Sequence, residues 1–93
     1  MIAKSAIFAG RVQGVGFRFS TKQIAKGFDV IGWVKNLSNG KVEVQVKGEA
    51  EEVDEFFLEI REGSSLAQHV QEFEEDEIPL EQLDDVTGFT IVR

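Results

Sequence analysis

The 93 residues carry a net charge of −7, no cysteine and one histidine, with 42% apolar residues and eight phenylalanines. That content provides for one soluble domain over 1–93 with a single core, and the missing cysteines exclude disulfides, thiolate metal sites and cysteine nucleophiles. A surface this acidic repels nucleic-acid phosphates over most of its extent, so no nucleic-acid partner is expected.

In chain order, the N-terminal AKSAIFAGRV places Phe8 and Val12 on one face and Ile7 on the other, which predicts a strand. The apolar run there is too short for a secretory leader, and no stretch approaches membrane-spanning length. A cytoplasmic protein with no membrane partner is the expectation. Next comes GRVQGVGFR, Gly10 to Arg18, with three glycines in nine positions and an arginine closing it. Glycine reaches backbone angles closed to other residues, so the run reads either as a turn or as a concavity where successive N–H groups converge on an anion.

Phe17, Thr21, Ile24, Ala25 and Phe28 follow at helical spacing, and VIGWVKN predicts a second strand ended by the turn LSNG. Val42, Val44 and Val46 alternate with Glu43, Gln45 and Lys47, the pattern of a half-buried strand. Val53, Phe56, Phe57 and Ile60 mark a second amphipathic helix stopped near Gly63. HVQEFEE and TGFTIV predict two later strands, separated by an irregular acidic segment around Pro79.

The order βαββαβ is that of a ferredoxin-like α+β sandwich, an antiparallel sheet with two helices on one face. In its split βαβ unit the first two strands run parallel with the third between them, so their C-terminal ends share one sheet edge. Two strand spacings, ~9.5 Å, then separate the glycine loop from Asn36. The loop also opens a helix, whose free N–H groups and dipole favour an anion. With a strand before it and Arg18 in the first helical turn, the loop is read as an anion nest.

Charge is divided between the halves. Residues 1–48 hold eight of the ten Lys/Arg and two of the 17 Asp/Glu, so a basic region surrounds this loop. Salt screens the acidic half beyond roughly 8–10 Å. The runs EAEEVDE and EFEEDE, with pairs such as Glu51/Glu55, read as solvated surface. Asn39 in NG reads as turn chemistry, His69 as structural or exposed, and Trp33 as a packing residue.

GRVQGVGFR together with GWVKNLSNGKVEVQVKG (Gly32–Gly48) resembles the acylphosphatase family, matching both of its signature patterns across nearly the whole chain. The resemblance implies an enzyme that hydrolyses a carboxyl–phosphate anhydride to a carboxylate and inorganic phosphate, without metal or other cofactor. By resemblance, Arg18 holds the phosphate and Asn36 orients the attacking water. The backbone of Gln13, Gly14, Val15, Gly16 and Phe17 forms the phosphate cradle, and a monomer with a small-molecule acyl phosphate substrate is expected. Asp29, where the family favours glycine, Gln68 at a usual basic position, and an apparent extra residue after Gly63 depart from the pattern. They leave the register of the fourth strand open.

The rival reading is a non-catalytic or regulatory module that binds a phosphorylated metabolite. A similar domain heads large carbamoyl-transfer maturation proteins, which continue into zinc-binding domains. A chain ending at Arg93 without cysteine favours the stand-alone enzyme. An RNA-binding sandwich needs exposed aromatics on its central strands, and KVEVQVK has none.

Overall fold

Alternation of valine with polar residues over Val42–Gly48 places a fully buried row, Val42, Val44 and Val46, on one face of a strand at the centre of the sheet. The computed structural model describes all 93 residues, Met1–Arg93. Strands β1 (Ile2–Gly10), β2 (Val30–Asn36), β3 (Val42–Gly48), β4 (Val70–Ile78) and β5 (Phe89–Val92) form one sheet in the order β4-β1-β3-β2-β5. Helices α1 (Phe17–Ala25) and α2 (Ala50–Leu58) cover the valine face. Phe17 and Ala25 from α1 join Val53, Phe56 and Phe57 from α2 in a single core with Phe8 and the β3 valines. This is the expected ferredoxin-like α+β architecture.

Four strands pair antiparallel, and β5 is added at the far edge parallel to β2, making the sheet mixed. The chain reaches that edge from β4 by crossing the sheet, through a 3-10 turn at Leu80–Leu83. There Leu83 is buried against β1 and β3 but stands outside the main core, as does Ala3 on the face away from the helices. The crossing turns the segment after Pro79 into a cover for part of that second face.

The fourth strand runs through the acidic stretch to Ile78, beyond the HVQEFEE expected from sequence, and its register is set by Phe73 opposite Phe8. Their ring centroids are 5.0 Å apart. Edge pairing with β1 leaves Glu72, Glu74, Asp76 and Glu77 exposed, while Lys4 Nζ bridges Glu75 Oε1 and Asp54 Oδ1, each at 2.9 Å. Its hydrogen bonds to Glu75 first and to Asp54 second raise the Lys4 pKa above the ordinary lysine value. The second helix ends in a π-helical turn, Glu59–Gly63, followed by a 3-10 turn capped by the Ser64 hydroxyl, which accepts from Leu66 N–H at 3.1 Å. No helix is long and apolar enough to cross a membrane.

Two packing contacts fix the ends of the glycine loop. Phe8 and Phe17 stack at 5.3 Å between centroids, seating the start of α1 on β1, and Val12 is fully buried between them in sequence. The loop is therefore short, anchored at both ends and in its middle. It has little freedom to drift from the sheet edge.

Candidate active site

Positive φ values at Gly14 (78°) and Gly16 (77°) bend the loop twice, and every non-glycine residue between and around them keeps negative φ. Such alternation turns successive N–H groups toward a common point. The N–H groups of Gln13, Gly14, Val15 and Gly16 donate to no protein acceptor. Gly16 is the N-cap of α1 without a side-chain cap, and the first helical bond runs from Ser20 N–H to Gly16 O at 2.9 Å. The first-turn donors before it are free in the manner of any helix N-terminus, and no acidic side chain neutralises them.

Asn36 ends β2 on the continuation of the Val30–Gly32–Val34 row, so its side chain lies on the helix side of the sheet. The register aligns Asn36 with Val42 and Val42 with Phe8, placing it at the sheet edge that the glycine loop leaves. Its Oδ1 is buried and accepts no hydrogen bond from the protein. A buried oxygen without a donor costs roughly 1–3 kcal/mol, a cost that a donor from outside the chain would offset.

Gly14, Gly16, Phe17, Arg18 and Asn36 line one cleft of about 290 Å³, floored by Val12. Arg18 is half-buried there and takes part in none of the ion pairs of the protein. A cation in a helix's first turn opposes the dipole, and an anion in the cleft would offset that cost. The side chains of Gln13 and Val15 do not line the cleft. Val15 is 39% exposed, and the Gln13 side chain turns toward the β2–β3 turn instead. No three His, Asp or Glu side chains are grouped to hold a metal ion.

The acylphosphatase family model matches residues 4–91. The chain belongs to the acylphosphatase family. An acylphosphatase of Lacticaseibacillus paracasei is 38% identical over 90 residues, covering 97% of this chain and 95% of that one. Among solved structures, acylphosphatase from Bacillus subtilis superposes with a TM-score of 0.87 at 32% identity, covering both chains completely. The phosphate- and nucleotide-bound form of full-length HypF matches with a TM-score of 0.85 at 30% identity, over 99% of this chain and 12% of that one. As a member of the acylphosphatase family the protein is a hydrolase.

Three further residues line the same cleft that the sequence reading did not single out: Phe19, Ile91 and Arg93. Ile91 and Arg93 continue the alternation from Phe89 along β5. That signal is present in TGFTIVR but is useful only once β5 is known to lie beside β2. Phe19 is 62% exposed, and its place on the rim depends on how α1 sits on the sheet. Asn39 is a turn residue as expected, its Oδ1 accepting from Lys41 N–H at 3.0 Å.

The left-handed backbone at Gly16, φ 77° and ψ 21°, yields a graded test. A Cβ there meets no atom within 4 Å, so substitution costs backbone strain without a clash. Asparagine tolerates this region and valine does not. Inhibition by inorganic phosphate is expected to weaken little in Gly16→Asn and much more in Gly16→Val. Inhibition constants for the two variants, read beside their melting temperatures, check the order.

Proposed function

We propose that the protein hydrolyses acyl phosphates in the cleft between the glycine loop and Asn36, with Arg18 and the backbone N–H groups of Gln13–Phe17 holding the phosphoryl group and Asn36 orienting water. The observation that carries this reading is that Asn36, whose buried Oδ1 accepts nothing from the protein, lines the same cleft as Arg18 and the two left-handed glycines. An asparagine amide beside a loop rich in free N–H donors suits a water molecule held next to an anion.

The chemistry follows from what lines the cleft. Water oxygen attacks phosphorus while the bond from phosphorus to the acyl oxygen breaks and its electron pair leaves with the carboxylate. A carboxylate is a weak base, so no general acid is required at the leaving group. No imidazole or acidic side chain lines the cleft to take the proton of the attacking water, and an amide is too weak a base to do so. In this reading the proton passes to a phosphate oxygen of the substrate itself. What remains for the protein is positioning and stabilisation of charge on the phosphoryl oxygens, which N–H dipoles and the Arg18 guanidinium supply. All the groups named come from one chain, so the proposed site is complete in a monomer. Acyl phosphates are labile products of carboxylate activation by ATP, which supports a cytoplasmic setting.

The test is an assay of the purified protein on an aromatic acyl phosphate and on a phosphate monoester of similar size. Hydrolysis of the acyl phosphate is expected, unaffected by EDTA and inhibited competitively by inorganic phosphate. The monoester is expected to be a poor substrate, because its alkoxide would need a proton that no group in the cleft can give. Activity lost to EDTA and restored by Mg²⁺ would overturn the metal-free route. Phosphate binding without hydrolysis would make the protein a binding module.

A further inference from the structure

The Gln13 side chain joins the loop after β1 directly to the β2–β3 turn, beyond the last paired residues Phe8, Val42 and Asn36. Its half-buried amide nitrogen, Nε2, donates to Leu37 O at 2.8 Å and to Lys41 O at 2.9 Å. A primary amide has two N–H hydrogens, and both are committed here. Gln13 directly precedes Gly14 in the anion loop, and Leu37 directly follows Asn36. Between the strands that carry these loops, β1 and β2, runs β3.

The β2–β3 turn does not need this amide to close. Leu37 N–H donates to Lys41 O at 2.8 Å and Gly40 N–H to Leu37 O at 3.2 Å, so each carbonyl already has a partner from within the turn. What the amide adds is a fixed separation between the loop that faces the phosphoryl group and the turn that follows Asn36.

We infer that Gln13 is a positioning residue for hydrolysis, setting the distance between the phosphate-holding loop and Asn36 through its two side-chain hydrogen bonds. The inference rests on the acyl phosphate reading above. In-line attack requires the water oxygen and phosphorus to approach within roughly 3–3.5 Å, and a misplacement near 1 Å costs on the order of 10²-fold in rate. Pairing through β3 ends at Phe8, Val42 and Asn36, and a separation that sensitive is served by a direct link beyond those residues.

Gln13→Met keeps length and removes both donors, and Gln13→Asn keeps the amide but is one methylene too short to reach both carbonyls. Each is to be made alone and in an Asn36→Ala background, and assayed on an aromatic acyl phosphate with melting temperature and phosphate inhibition measured alongside. In the otherwise wild-type chain, kcat is expected to fall about 10-fold or more, with the phosphate inhibition constant within about threefold. In the Asn36→Ala background the same substitution is expected to change kcat less than about twofold, since the group being positioned is gone. A folded Gln13→Met or Gln13→Asn protein with wild-type kcat overturns the inference. Equal losses in both backgrounds, with Asn36→Ala itself strongly impaired, overturn it while leaving the acyl phosphate reading standing. Wild-type kcat in Asn36→Ala overturns the water-orienting reading and this inference with it.

Discussion

Arg18→Lys is expected to lower kcat/KM by a factor of about 30 or more, a loss of roughly 2 kcal/mol of transition-state stabilisation, although the charge is kept. The argument is geometric. A guanidinium presents a planar fork that donates two parallel hydrogen bonds to two phosphoryl oxygens, and an ammonium is a point charge that cannot reproduce it. Arg18 has no ion pair to lose, and it stands in the first turn of α1, where the dipole disfavours a cation. Melting temperature is therefore expected to stay near wild type while activity collapses. Steady-state kinetics and a thermal melt on the one variant separate these effects. A lysine variant that keeps half the wild-type rate would remove Arg18 from the centre of the site.

Asn36→Ala is expected to lower kcat on the order of 10²-fold, with KM and the phosphate inhibition constant changing little. A group that orients the nucleophile acts more on the transition state than on the bound ground state, so its loss is felt in the chemical step. Stability is expected to move the other way. Asn36 Oδ1 is buried and accepts nothing from the protein, so truncating the side chain removes an unpaired polar atom and gives a melting temperature equal to or above wild type. A structural asparagine would give the opposite pattern: a lowered melting temperature, and kcat falling only with the folded fraction.

Much of this arrangement is legible in the sequence, because two strong periodicities and two motifs constrain it. The Val42–Val44–Val46 alternation and the phenylalanines of both helices specify which faces meet, and the strand–loop–helix order around GRVQGVGFR places free N–H groups at the sheet edge. Asn36 and Asn39 differ by only three positions, yet strand parity puts Asn36 on the helix side and leaves Asn39 to close the turn. Other features depend on tertiary placement that local pattern does not encode. The acidic stretch to Ile78 carries the polarity of a loop and is made a strand by backbone pairing with β1, which leaves its carboxylates in water. The parallel placement of β5, and with it Ile91 and Arg93 beside the cleft, follows from the crossing anchored by Leu83. The sequence assigns Gln13 to the cradle through its backbone and gives its side chain no role. Only the approach of the β2–β3 turn shows where the side-chain donors are engaged.

The account turns on where the anion sits, and a titration of the isotopically labelled protein with inorganic phosphate, followed by backbone amide resonances, reads this directly. The amides of Gln13 through Phe19 are expected to shift most and to saturate with the same constant that describes competitive inhibition of hydrolysis. Unmoved loop amides at phosphate concentrations that inhibit the enzyme, or shifts centred on another face of the protein, would contradict the assignment of the cleft.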